Sequence, residues 1–169
     1  MSYLTPAQLA NGADMLNELS ELFGVSAELL ATIFAGDTPD PNEWPPDELA
    51  RAVSALDEIE QTMVRASGEI DARLATRGYA LPVDVQQFPM VGTWARSMTR
   101  YLLHTQREGT QETTGRIERD YRDAIRSLNL IAGGNLLLGA NDPLAASAGN
   151  AVHLSSPERQ FSRNILGAL

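Results

Sequence analysis

The sequence predicts an all-α fold, a bundle of four to five helices with an extended C-terminal arm, and three observations carry that expectation. Large apolar residues recur at steps of three, four and seven, the spacing that gathers them on one side of a helix. Residues suited to helix caps and stops bracket these runs. Proline- or glycine-dense stretches separate them. At 169 residues the chain is one domain's worth, long enough to bury a core. No apolar run approaches the roughly 20 residues of a membrane-spanning helix. The opening Met1-Ser-Tyr-Leu-Thr-Pro6 has neither a basic stretch nor an apolar signal core, so export is not expected.

Thr5-Pro-Ala-Gln8 reads as a helix start, with Thr as N-cap, Pro at the first helical position and Gln three residues on. Leu9, Ala13, Leu16, Leu19 and Phe23 follow at near-helical spacing, with Gly12 as a candidate break. Ser26 suits the cap of a short helix bearing Leu29, Leu30, Ile33 and Phe34, which stops near Gly36. Asp37–Pro46, dense in proline and acid, is a loop, because repeated proline excludes both helix and sheet ladders. The strongest element runs from about Asp47 to Arg77. Its Leu49, Val53, Leu56, Ile59, Met63, Ile70 and Leu74 fall within an arc of about 120° at 100° per residue, and Gly78 supplies a C-cap. Tyr79–Val83 is an extended connector. Pro89 opens a helix with Met90, Val91, Trp94, Met98, Tyr101 and Leu102 inward, and a polar loop spans 106–115. The last major helix, near Arg116–Ala132, puts Ile117, Tyr121, Ala124, Ile125, Leu128 and Ile131 on one side. Arg116, Arg119, Arg122 and Arg126 line the other, and Gly133-Gly134 ends it.

After Gly139 the pattern fails. Residues 140–151 are small, nearly uncharged and aperiodic, too poor in large apolar groups to repay their own ordering. Phe161, Ile165, Leu166 and Leu169 then return as apolar anchors. The partition is a helical domain over 1–139 and a C-terminal docking arm over 140–169. A short helix folded back on the domain is the competing reading of the last residues.

All 13 basic residues are arginine. That choice suits bidentate pairing with carboxylates between subunits, although a GC-rich coding sequence accounts for it equally. The charge is lopsided: residues 1–60 hold 12 acidic groups against Arg51 alone, while the remainder is slightly basic. Such a chain is suited to head-to-tail packing with its own copies, or else it simply carries a solvated acidic face.

Little in the sequence points to catalysis. There is no cysteine, which removes disulfides, thiolate nucleophiles and cysteine-based metal sites, and fits a reducing cytoplasm. His104 and His153 have no companion at metal-ligand spacing, and His104 reads as a surface or capping residue. No glycine-rich loop sits between a strand and a helix to cradle phosphate. Acid pairs such as Glu58/Glu60, Glu69/Asp71 and Asp120/Asp123 read as solvated helix faces. No enzyme activity, cofactor or metal is expected. The arginine stripe keeps three readings open: a solvated face with local ion pairs, pairing with the acidic half of a neighbouring copy, and contact with nucleic-acid phosphates. Glu112, Glu118, Asp120 and Asp123 interrupt it, unlike the unbroken basic patch of dedicated nucleic-acid binders.

Several phrases, taken in order, resemble the Mu-like prophage head–tail adaptor (connector) family. Ala66-Ser-Gly-Glu-Ile-Asp-Ala-Arg-Leu-Ala-Thr-Arg-Gly-Tyr-Ala-Leu-Pro82 is similar to its central motif, a helix of the type Ala-x-x-Glu-Ile-Asp-x-x-Leu leading into Arg-Tyr-x-Leu-Pro. Ala95-Arg-Ser-Met-Thr-Arg-Tyr-Leu-Leu103 resembles the next helix, and 119–139 the closing helix with its glycine-ended turn. Tyr3–Leu9 and Arg159-Gln-Phe-Ser-Arg163 resemble the family's two ends. The likeness covers about two thirds of the chain. Two places depart from the pattern: Gly78 stands between Arg77 and Tyr79, and the acidic loop 37–46 has no counterpart.

The resemblance implies a structural protein of the virion, made in the host cytoplasm and placed at the head–tail interface. Such adaptors form a ring, commonly twelvefold, on the portal protein, and pass the DNA channel to a stopper or tail-completion protein. DNA traverses the channel without specific binding, and no membrane is involved. By this analogy Phe161, Arg163, Ile165, Leu166 and Leu169 dock on the portal. Arg116, Arg119, Arg122 and Arg126 are candidates for contacts between subunits. The alternative is a small helical nucleic-acid-binding or regulatory protein that uses the Arg116–Arg126 stripe.

Overall fold

The computed structural model describes residues 2–107, 115–139 and 142. The expected 140–169 arm, with Phe161, Arg163, Ile165, Leu166 and Leu169, lies outside the described residues apart from Asp142. Six helices and no strand occur among the described residues: α1 (Pro6–Leu9), α2 (Ala13–Phe23), α3 (Ala27–Phe34), α4 (Pro46–Arg77), α5 (Pro89–Arg107) and α6 (Gly115–Ala132). The fold is all-α, but the count exceeds the expected four to five. The reason is Gly12, whose φ of 114° lies outside the helical range and splits the first apolar run into α1 and α2.

Local chemistry accounts for the helix ends. Gln8 N–H donates to Thr5 Oγ1 (3.2 Å) and Thr5 N–H to Gln8 Oε1 (2.9 Å), a reciprocal capping box. Ser26 Oγ accepts from Leu29 N–H at 3.3 Å, while Ser26 N–H reaches Glu48 Oε1 at 3.0 Å and ties α3 to the start of α4. α4 opens on Pro46 and ends on Gly78, at φ 98°, where a side chain would be strained.

α4 is the spine. Its 32 residues span about 48 Å at 1.5 Å per residue, enough to serve two separate clusters. Around its N-terminal half, Ala52, Ala55, Ile59 and Met63 meet Leu9 of α1, Leu19 and Phe23 of α2, Leu29, Leu30 and Phe34 of α3, and Leu103 of α5. Around its C-terminal half, Ala66, Ile70 and Leu74 meet Val91, Trp94 and Met98 of α5 and Ala124, Leu128 and Ile131 of α6. Helices α4, α5 and α6 therefore form a three-helix unit, with α1–α3 layered on the front of the spine.

Several side chains differ from their expected places. Val53 is 55% exposed and Met90 46% exposed, whereas both were expected inward. In α4 the buried stripe is rotated toward Ala52, Ala55, Thr62, Ala66 and Ser67. Small residues there leave room for neighbouring helices to approach closely, so the contact centres on them rather than on Val53. His104 is buried beside Glu18, not at the surface. The 79–83 connector is not simply extended. Tyr79 and Val83 turn inward around a cis Leu81–Pro82 bond. The Tyr79 hydroxyl bonds Asp142, whose Oδ2 also accepts Leu138 N–H at 2.7 Å, so Asp142 is fastened to the helical body.

Truncating the spine should separate buried from exposed positions. Ile59→Ala and Leu128→Ala should each lower the unfolding free energy by about 2–5 kcal/mol. Val53→Ala should change it by less than about 0.5 kcal/mol. Urea denaturation followed by circular dichroism measures all three.

Candidate subunit interface

α6 is the most two-sided of the described helices. Ile117, Ala124, Leu128 and Ile131 are buried, and Tyr121 and Ile125 close the edge of the core half-buried. Tyr121 is held flat against Tyr101 of α5, ring centroids 4.1 Å apart and planes 14° from parallel. Burial pushes the Tyr121 hydroxyl above its ordinary range, helped by the nearby Glu69 carboxylate and Tyr101. Arg73 of α4 bonds Asn129 Oδ1 at 3.1 Å and Glu69 Oε1 at 3.0 Å, which ties the far end of α6 to the spine. The helix is thus a fixed platform, and its outward side can be read as a surface.

The four arginines of the stripe do not act together. Arg116 lines a cavity of about 300 Å³ between α2, α5 and α6, with Asp14, Glu18, Arg96, Arg100 and Asp120. Arg119, Arg122 and Arg126 face outward around a second hollow of about 330 Å³ edged by Glu118 and Asp123. Arg122 pairs with Glu118 one turn away. Arg119 and Arg126 make no ion pair with any described residue. Next to them a shallow groove of about 430 Å³ is floored by Tyr121, Ile125 and Leu130 and flanked by Arg122 and Arg126. Leu130, 42% exposed, extends the basic strip with an apolar end. Sequence reasoning passed over Leu130, although its step of four from Arg126 placed it on that side.

The interhelix ion pairs lie elsewhere and are structural. Glu18 of α2 accepts from Arg100 Nε of α5 at 2.6 Å and from its Nη2, and stands 2.7 Å from His104 Nε2. Burial raises the Glu18 carboxyl, but hydrogen bonds to Arg100 and His104, together with their Coulombic attraction, outweigh it. The group is held below its ordinary value of 4.5. Arg107 grips Glu58 through Nε (3.2 Å) and Nη2 (2.6 Å), and its guanidinium carbon sits 4.1 Å from the centre of the Phe23 ring. These contacts pin the α1–α3 layer to α5 and leave α6 out. No group of three or more His, Cys, Asp or Glu is placed to hold a metal ion among the described residues, and no described helix is long and apolar enough to cross a membrane.

The lowered Glu18 value sets a direction for stability against pH. A carboxyl depressed by folding contributes stability that is present above its unfolded value and lost as pH falls through the folded one. Glu18→Gln should therefore unfold at a lower temperature than the parent at pH 7. The gap should close as pH drops below 4.5. Thermal melts across pH 3–7 test this; a constant gap would assign the loss to packing.

Comparison with known protein families gives a match. A family model described as bacteriophage Mu, Gp36 aligns with residues 24–156, most of the chain. No curated protein and no solved structure matches.

Proposed function

The chain belongs to the bacteriophage Mu Gp36 family and is a phage structural or morphogenesis protein, and from that premise we propose that it is a non-catalytic head–tail adaptor. It assembles as a ring on the portal protein, around the DNA channel, and receives the stopper or tail-completion protein on its other side.

The observation that carries this reading is the ordered set of family-like phrases laid along α4, α5 and α6. The Ala66–Pro82 phrase forms the C-terminal half of the spine and the turn after it; Ala95–Leu103 lies on α5 and 119–139 on α6 and its exit. These are the helices that share one core, so the resemblance falls on the structural unit and not on scattered surface. Charge supports the reading too. The acidic first 60 residues and the outward arginines of α6 suit contacts in which one face of a copy meets a different face of the next, the arrangement that closes a ring. The role of Phe161, Arg163, Ile165, Leu166 and Leu169 as a portal-docking segment belongs to the same proposal. Many weak contacts repeated around a ring would then act together.

Electron microscopy of the chain mixed with the portal protein of its own phage tests the proposal. The expected result is a ring of adaptor density on the portal, weakened when residues 155–169 are deleted while helicity by circular dichroism is retained. Absence of any complex at every salt concentration would sink it. In the same preparation, duplex DNA should bind no more tightly than to a charge-matched control. Micromolar binding with a steep salt slope, lost on Arg119→Ala with Arg122→Ala, would favour nucleic-acid recognition instead.

A further inference from the structure

Two outward faces of this molecule carry opposite charge, most of it unpaired within one chain. The first lies on the N-terminal half of α4. Val53 and Val64, 55% and 49% exposed, flank Asp57 and Glu60, both also exposed. At 100° per residue the four fall within an arc of about 60°. Neither acid makes an ion pair with a described residue. The second is the outer face of α6, where Arg119, Arg122, Arg126 and Leu130 fall within about 80°. The α4 strip sets two valines beside unpaired carboxylates; the α6 strip is basic and ends on Leu130, with Arg122 paired to Glu118 of its own helix and Asp123 at its edge.

The two strips cannot meet inside one molecule. Arg73, the α4 residue that reaches Asn129 on α6, stands nine positions after Val64. Nine steps turn about 180° around the helix, so the valine–carboxylate strip looks away from α6.

We propose that the α4 strip (Val53, Asp57, Glu60, Val64) of one copy docks on the α6 strip (Arg119, Arg122, Arg126, Leu130) of a second copy of this chain. The contact is heterologous, so each pair keeps one free strip of each kind, one on either molecule, and the pairing propagates from copy to copy. The opposed charges meet at the centre, fix the register and reject like-with-like pairing of two α4 or two α6 strips, while the aliphatic side chains at the strip ends add apolar contact. Arg116 takes no part, because it faces the cavity shared with α2 and α5. This inference rests on the adaptor reading for its ring, but the contact itself is testable apart from it.

The experiment places the photocrosslinker benzoylphenylalanine at Val64 in the full chain, irradiates it alone and with portal protein, and maps adducts by mass spectrometry. The expected adducts fall on residues 119–130 of another copy, in a ladder of dimers and higher species. Arg122→Glu with Arg126→Glu should reduce the yield at least about tenfold, since like charges then face each other. Asp57→Arg with Glu60→Arg on the same chain should recover it. Adducts on residues 143–169, on portal protein, on a second position 64, or on nothing would overturn the proposal. So would failure of the compensating reversal while the variant remains helical. Rings seen by electron microscopy with adducts elsewhere would reject this contact and keep the adaptor reading. Adducts on α6 in a chain that never forms a ring would keep the contact and reject the ring.

Discussion

A single long helix has to satisfy two cores at once, and most of the architecture follows from that. α4 carries the α1–α3 layer on its first half and the α5–α6 pair on its second. Where those clusters abut, its inner face is lined by Thr62, Met63, Ala66 and Ser67. The buried hydroxyls do not disturb the join. Thr62 Oγ1 returns its proton to the Glu58 carbonyl at 2.8 Å, and Ser67 Oγ accepts Tyr3 N–H at 3.0 Å. Buried polar groups are tolerable when paired in this way. The N-terminal segment is thereby stitched to the spine, and the Tyr3 hydroxyl carries the stitch on to Asp71 and the Val83 N–H.

The same spine fixes the faces that the surrounding helices present. Two of the molecule's ion pairs join elements within the body, Glu18 of α2 to Arg100 of α5 and Glu58 of α4 to Arg107 of α5. Partly buried pairs of this kind contribute orientation more than stability, because desolvation offsets much of their Coulombic gain. What they achieve is a fixed relation between the acidic front layer and the three-helix unit. The charge left over, on the outer sides of α4 and α6, is held on regular helices whose spacing is rigid. Such rigidity limits the ordering cost of any contact made through those faces.

Membership of the Mu Gp36 family and the physical character of the surfaces point the same way. A phage structural component needs interfaces strong enough in the aggregate and weak enough singly to be corrected during assembly. Exposed aliphatic side chains set among charged ones on α4 and α6 suit such contacts, since charge steers association while the apolar area is modest.

Much of this was written locally. The capping box at Thr5 and Gln8, the Ser26 cap, the proline opening of α5, and Gly78 at the end of the spine depend on neighbours a few residues away, and the sequence alone locates them to within a residue or two. The two-sidedness of α6 was equally plain, because large apolar and arginine residues alternate there with little ambiguity. The contacts of α4 were not. Periodicity defines a stripe but leaves its azimuth loose by tens of degrees, and alanine, serine and threonine give almost no signal, although they mark where helices come closest. Only the packed structure turned Val53 and Met90 outward, brought His104 to Glu18 across 86 positions, and separated Arg116 from the other three arginines. Those decisions belong to tertiary structure because each is settled by which distant helix occupies the space beside a residue, and no repeat within one segment records that.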